Sequence, residues 1–189
     1  MPENKRVLIL ASSSPRRKEL IRKITDDFIT KQPVCEEITD GEPQFVAETN
    51  AVRKGRAADG DFVVACDTLV ACDGKIYGKP SGEIDAVGMI KELSGKTHTV
   101  ISGVYVRFDK EETVFCDKSF VTFKNLTEEE IVSYIKNFRP LDKAGAYGLQ
   151  DGVVVEKYSG SCDNIIGLPT EKLREILRKY VYVKEESDN

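Results

Sequence analysis

A motif of serines and arginines near the start of the chain has the composition of an anion-binding site. The motif S-S-S-P-R-R at residues 12–17 follows an apolar run at residues 7–11. A helix N-terminus carries partial positive charge and favours acidic residues, whereas this helix would begin with Arg16 and Arg17. Free backbone N–H groups, serine hydroxyls and guanidinium groups at one point suit a phosphate. The alternative is an ordinary surface helix whose arginines face solvent.

A second candidate is Asp67, which interrupts an apolar sequence at residues 62–72. A carboxylate is costly to bury there unless it binds a metal, a proton or a hydrogen-bond donor. The alternative is an aspartate at a strand end that bonds to nearby backbone. Glu37 and Asp40 add hard oxygen ligands upstream, and the chain has a single histidine, His98. This donor set favours Mg²⁺ or Mn²⁺ over zinc.

Further basic side chains are scattered along the sequence. Lys54 lies in a predicted helix, whereas Lys79 and Lys143 lie beside glycine or proline, where a fixed backbone can aim a side chain. Together with the carboxylates they predict binding of a triphosphate and a divalent cation. The net charge of −4 provides no general attraction to nucleic acid polymers or anionic membranes, so a local cluster must bind the anion.

Two segments are similar to known phosphate-handling motifs, but each lacks a residue that the motif requires. Gly95-Lys96-Thr97 is not a P-loop, because Ile90 stands where that motif requires glycine. Asp67 begins no aspartyl-phosphate motif, because the second aspartate of that motif is absent. His98 has no accompanying nucleophile motif and is predicted to be a strand histidine with a hydrogen-bonding role.

The elements that must position these residues are predicted from hydrophobic periodicity and caps, and they indicate an α/β fold with a mixed twisted sheet and flanking helices. Strands are predicted at residues 7–11, 62–70, 99–108, 113–123 and 153–157. Helices are predicted from Pro15 and at residues 45–58, 81–93, 127–137 and 169–180, with a glycine-rich loop at 142–152 and a polar tail at 184–189.

The composition is that of one soluble domain. The chain has 189 residues, of which 40% are apolar and 32% charged, enough for a core without metal or disulfide support. The five cysteines are odd in number and widely spaced, which favours a reducing compartment. The apolar run at residues 7–11 is too short for a signal peptide or membrane span, so a cytoplasmic protein is expected.

Six motifs, in order and spacing, resemble the Maf family of nucleoside triphosphate pyrophosphatases over about residues 7–180. They are S-S-S-P-R-R at 12–17, C-D-T-L-V at 66–70, G-K-P at 78–80, G-K-T-H at 95–98, D-K-A-G-A-Y-G-L-Q at 142–150 and I-G-L-P at 166–169. The fifth motif is similar to the branch that acts on dTTP and UTP. The resemblance implies an α/β fold with a central cleft, similar to inosine triphosphate pyrophosphatases and often dimeric, so a homodimer is one expectation.

The implied reaction is cleavage between the α- and β-phosphates, with a divalent cation, to give a nucleoside monophosphate and pyrophosphate. The substrates would be dTTP, UTP or modified pyrimidine nucleotides, in a house-cleaning role. The alternative is a non-catalytic nucleotide-binding regulatory protein linked to cell division. Asp67 distinguishes the two, because a pure binder gains nothing from a carboxylate facing a polyphosphate.

The resemblance also implies residue roles. Asp67 matches the catalytic aspartate, which would act as general base and share the cation with Glu37. The phosphates would be held by Arg16, Lys54 and Lys79, with Lys143 a weaker addition. Substrate choice is associated with the positions of Arg16, Thr68 and Gln150, and the amide of Gln150 can donate and accept at once.

One departure from the family pattern bears on the site. Gly55 follows Lys54 where alanine is usual, and glycine weakens a helix by about 1 kcal/mol relative to alanine.

Overall fold

The computed structural model describes residues 7–180 and 184, and it contains a seven-stranded mixed sheet flanked by helices. The strands are β1 (Leu8–Ala11), β2 (Phe28–Lys31), β3 (Phe62–Cys72), β4 (Lys75–Tyr77), β5 (Thr97–Phe108), β6 (Glu111–Phe123) and β7 (Val155–Ser159). The helices are α1 (Pro15–Ile21), α2 (Pro43–Arg56), α3 (Glu83–Leu93), α4 (Glu128–Phe138), α5 (Cys162–Ile166) and α6 (Thr170–Leu177). Of the predicted polar tail, only Lys184 lies within the described residues.

The strand order is β2-β1-β3-β5-β6-β7, with β4 paired to β3. β1 runs parallel to β2 and β3, and the other pairs are antiparallel. Parallel neighbours need long crossovers, which α1 and α2 provide, whereas antiparallel neighbours need only tight turns. At one such turn Asp73 and Gly74 have φ of 51° and 77°, the positive values that two-residue hairpins favour. The predicted fold class is confirmed.

The segment between β1 and α1 folds as the sequence predicts. Ser14 is the N-cap of α1, its side chain accepts from the Arg17 backbone N–H at 3.5 Å, and Pro15 is the first helical residue. Leu20 and Ile21 are buried against the sheet. The N-terminal turn of α1 therefore stays beside the end of β1, where its arginines reach the cleft described below.

Helix α2 packs unusually closely on the sheet because of two glycines, one on the facing strand and one within the helix itself. A Cβ on Gly103 of β5 would lie 2.5 Å from the Glu48 backbone nitrogen. A Cβ on Gly55 of α2 would lie 2.9 Å from Cγ of Tyr105, with other ring atoms closer still. The helix-propensity cost of glycine is therefore set against a packing requirement, because Gly55 makes room for the Tyr105 ring.

Neither β2 nor α5 was among the predicted elements. β2 is a four-residue edge strand whose residues are mostly exposed, so it lacks the apolar pattern of an interior strand. α5 has five residues and is recognisable mainly by its N-cap, Ser161, whose side chain accepts from the Asn164 N–H. Within residues 7–180 and 184, no helix combines the length and hydropathy that crossing a bilayer requires.

Candidate active site

A cleft of about 390 Å³ opens beside the end of β1, the middle of β3 and the loop after α4. Its size is in the range of small-molecule sites. Seven predicted site residues line it: Arg16, Glu37, Lys54, Thr68, Lys79, Lys143 and Gln150. The eighth, Asp67, is not part of the lining but is bonded to Lys54, which is. The structure therefore brings together residues that are up to 134 positions apart in sequence, from Arg16 to Gln150.

Asp67 is held by two residues on one face of α2. Lys54 Nζ lies 2.5 Å from Asp67 Oδ1, and Asn50 Nδ2 donates to Asp67 Oδ2 at 3.2 Å. Asn50 and Lys54 are four residues apart, so they project from the same side of the helix. The side chains of Lys54 and Asp67 are only 12% and 13% exposed, and an ion pair this shielded is screened far less than a surface pair.

A second carboxylate approaches the same lysine. Glu37 Oε2 lies 3.0 Å from Lys54 Nζ, so Glu37 and Asp67 converge on one point at the cleft wall. Across the described residues, no group of three or more His, Cys, Asp or Glu side chains is arranged to hold a metal. A pair of carboxylates nevertheless fits Mg²⁺ or Mn²⁺, because such ions keep several waters and share phosphate oxygens of the substrate.

The other basic residues reach the cleft from three further segments. Arg16 Nη1 pairs with Asp142 Oδ2, Arg16 Nη2 donates to the Asp142 carbonyl at 3.1 Å, and Lys143 Nζ lies 3.1 Å from Asp142 Oδ1. Burial would raise the pKa of Asp142, but hydrogen bonds from Arg16 and Lys143 outweigh it and lower that pKa. The Gly145 N–H donates to the Gly78 carbonyl at 3.0 Å, which fixes the Lys79 loop beside this loop.

The paired arginines have different partners, which the sequence did not predict. Arg17 Nε donates to the Gly167 carbonyl at 2.8 Å, and its Nη2 donates to the Thr68 hydroxyl at 3.1 Å. Thr68 Oγ1 also lies 2.9 Å from Ser102 Oγ. Arg17 therefore orders the Thr68 end of the cleft, whereas Arg16 faces Asp142. The family resemblance assigned a role to Arg16 alone, and the role of Arg17 follows from the structure.

His98 does not line the cleft. It is buried in β5, and its Nε2 lies 2.9 Å from the hydroxyl of Tyr147, which lines the cleft. Burial lowers the pKa of His98 to about 4, so the ring is neutral at pH 7. The prediction of a hydrogen-bonding strand histidine is confirmed.

Comparisons with known proteins give a consistent result. The family described as Maf-like protein matches residues 7–180. A dTTP/UTP pyrophosphatase of Thermosipho africanus is 44% identical over 174 residues, covering 90% of this chain and 91% of the relative. A dTTP/UTP pyrophosphatase of Geobacter metallireducens is 41% identical over 189 residues, covering 94% and 97%. The solved structure of the Staphylococcus aureus Ham1 protein has a TM-score of 0.54 at 14% identity, covering 91% of this chain and 98% of that one, which supports the fold alone.

Proposed function

The chain belongs to the Maf family, and we propose that it is a nucleoside triphosphate pyrophosphatase that hydrolyses dTTP and UTP to the monophosphate and pyrophosphate. Relatives that are 41–44% identical over at least 90% of the chain carry that activity in their names. The observation that carries the proposal is the cleft itself. Basic side chains from four separate segments line the same space as Glu37, with the Asp67 carboxylate bonded to Lys54.

The basic side chains would bind the triphosphate. Arg16, Lys79 and Lys143 line the cleft with the serines that precede α1, so charged donors and hydroxyls face the same space. Groups fixed before the reaction stabilise the charge that develops on the departing pyrophosphate without further rearrangement. Apolar Val100, Ile165 and Ile166 also line the cleft and suit a base.

Asp67 would act as the general base. A carboxylate has about four acceptor positions, and the bonds from Lys54 and Asn50 occupy one on each oxygen, which leaves an acceptor for a water. Asp67 would take a proton from the water that attacks the α-phosphorus, while the bond to the oxygen bridging to the β-phosphate breaks. Lys54 keeps the carboxylate oriented during this transfer. Proton transfer of this kind contributes about 10²–10⁴-fold to rate.

Glu37 and Asp67 would hold the divalent cation, which when bound supplies Lewis-acid polarisation of the phosphate oxygens. Thr68 and Gln150 would contact the base. Gln150 is exposed on the cleft lining, and its amide can donate and accept at once, as the edge of uracil or thymine requires. Modified pyrimidine nucleotides belong to the same substrate class.

A non-catalytic nucleotide-binding regulator linked to cell division is not favoured. Both relatives described above are named as pyrophosphatases. A buried carboxylate beside a polyphosphate repels that ligand, so a protein that only bound nucleotides would gain nothing from Asp67. A homodimer and a cytoplasmic location remain predictions, which light scattering after gel filtration and cell fractionation test directly.

The decisive experiment measures products. The protein is incubated with each of dTTP, UTP, dCTP, dATP and dGTP in Mg²⁺, and pyrophosphate and monophosphate are quantified. Asp67→Asn should lower turnover by at least about 100-fold without changing the melting temperature by more than a few degrees. Asp85→Asn is the matched control, because Asp85 accepts hydrogen bonds from Ser81 at the start of α3, whereas Asp67 accepts them from Lys54 and Asn50. Absence of pyrophosphate from both dTTP and UTP would refute the proposal.

A further inference from the structure

We propose that the hydroxyl of Tyr134 is a positioning group for base recognition: it fixes the backbone turn that presents Gln150, without touching the nucleotide. The inference rests on the proposed function, because it concerns the base-binding end of the same cleft. It assigns a role to a residue of α4, a helix that contributes no side chain to the cleft lining.

The geometry of the hydroxyl is the main evidence. Gln150 lies in a one-turn 3-10 helix, Leu149–Asp151, that directly follows Gly148. The Tyr134 hydroxyl accepts a hydrogen bond from the Gly148 N–H at 3.1 Å and donates to Asp151 Oδ2 at 2.6 Å. One oxygen therefore ties together the residue before the turn and the last residue of the turn, with Gln150 between them.

The turn has little support of its own. Its internal hydrogen bonds, from Asp151 N to Gly148 O and from Gly152 N to Leu149 O, are 3.2 and 3.3 Å long. Short 3-10 helices have poor hydrogen-bond geometry and are easily rearranged. The Gln150 side chain is exposed, so its direction into the cleft depends on the backbone that carries it. A fixed external partner is what keeps this turn in one conformation.

Tyr134 is itself well fixed. Its side chain is 2% exposed within the core cluster that contains Ile131 and Ile135 of the same helix. A capping box at Thr127 and Glu130 sets the start of that helix. Burial raises the pKa of the Tyr134 hydroxyl above its ordinary value, so the proton donated to Asp151 is retained at any physiological pH.

The same turn also packs against Lys143, one of the residues proposed to bind the phosphates. A Cβ on Gly148 would lie 2.9 Å from Asp151 Oδ2 and 3.0 Å from Cε of Lys143. The stem of Lys143 and the Asp151 carboxylate therefore pack against the Gly148 backbone that Tyr134 holds. Displacing the turn would move Gln150 most, because it lies within the turn, and Lys143 less, because it only packs against it.

The test compares two tyrosines that differ in what their hydroxyls hold. Tyr134→Phe should raise the KM for dTTP and UTP about tenfold, through loss of hydrogen bonds to buried groups, with a change in kcat below about threefold. Tyr77→Phe is the matched control: Tyr77 is in the same core cluster, but its hydroxyl donates to Glu92 of α3 at 2.8 Å. Only Tyr134→Phe should change KM, whereas Tyr77→Phe, which loses a bond to the half-exposed Glu92, should change thermal stability alone.

A second variant tests the route through the turn. Asp151→Ala removes one partner of the hydroxyl, and its effect on KM should not add to that of Tyr134→Phe in the double variant. A KM change below threefold for Tyr134→Phe, an equal change for Tyr77→Phe, or fully additive effects would overturn the inference. If Tyr134→Phe does not fold, Asp151→Ala alone is compared with Tyr77→Phe by the same criteria.

Binding of dTMP, measured by calorimetry, separates this inference from the proposed reaction. If the wild-type protein binds dTMP but releases no pyrophosphate from dTTP, the proposed activity fails, and about tenfold weaker dTMP binding by Tyr134→Phe still supports the positioning role. If the protein neither hydrolyses dTTP nor binds dTMP, both proposals are refuted. Inorganic pyrophosphate should bind Tyr134→Phe within about threefold of wild type, because Lys143 only packs against the turn, whereas Gln150 lies within it.

Discussion

Replacing Gly55 with alanine tests how closely α2 sits on the sheet. By helix propensity alone the change should stabilise the protein by about 1 kcal/mol. In the structure the new Cβ would lie 2.9 Å from Cγ of Tyr105, with Cδ1 and Cε1 closer still. The ring cannot easily yield, because it is fully buried and its hydroxyl donates to Glu112 at 2.6 Å. The two effects therefore have opposite signs.

The steric effect should prevail. Overpacking a well-filled core costs about 1–3 kcal/mol, and several ring atoms inside 3.0 Å place this site at the upper end. Subtracting about 1 kcal/mol of helix propensity leaves Gly55→Ala about 2 kcal/mol less stable than wild type. For a chain of this length the melting temperature should fall by about 4–8 °C. Turnover should fall as well, because Lys54 precedes Gly55 and must stay in contact with Asp67.

Urea unfolding followed by circular dichroism measures the change in stability. Gly88→Ala is the matched control, because a methyl group on Gly88 of α3 would meet nothing within 4 Å beyond the backbone of its own helix. That variant should gain about 1 kcal/mol from helix propensity alone. If Gly55→Ala proves as stable as wild type or more so, the packing of Tyr105 against α2 is not as tight as the structure indicates.

The remaining predictions concern pH and the cation. Because the pKa of buried His98 is lowered from 6.5 to about 4, its contribution to stability is present above pH 6.5 and lost as pH falls towards 4. The free energy of unfolding, measured with urea, should fall between pH 7 and pH 4 by about 3 kcal/mol less in His98→Gln than in wild type. An equal fall in both proteins would contradict the assignment. Removing divalent cations with EDTA should stop hydrolysis but lower the melting temperature by less than about 2 °C, because Lys54 then pairs with Glu37 and Asp67. Unfolding in EDTA would instead indicate a structural metal.

Much of the fold was predictable because the local signals are strong. The apolar run before the serines, the capping box at Thr127 and the Asp73-Gly74 turn each indicate an element and its boundary. The edge strand β2 and the five-residue helix α5 were missed for a common reason. Each is short and stabilised mainly by its neighbours, so neither has enough residues to show a period.

The sequence predicted which residues belong to the site more completely than it predicted their contacts. The motifs marked Arg16 and Asp67, and the family resemblance added Lys54, but neither gave a sign that Asn50 holds the second oxygen of Asp67. Nor did they predict that Arg17 donates a hydrogen bond to Thr68. The sequence does not reveal these hydrogen-bond partners, because each bond joins residues from different elements. The distance between the two residues depends on how those elements pack.

The sequence by itself determined the chemistry available to this protein: one histidine, scattered lysines and arginines, and a carboxylate within an apolar strand exclude most other catalytic arrangements. It also determined the alternation of elements, because hydrophobic period and capping act over a few residues. Only the tertiary structure decided that Gly55 is required where alanine looked better, and that a tyrosine of α4 holds the turn of Gln150. Those outcomes depend on close packing between distant segments, where a single methyl or hydroxyl group decides whether the surfaces fit.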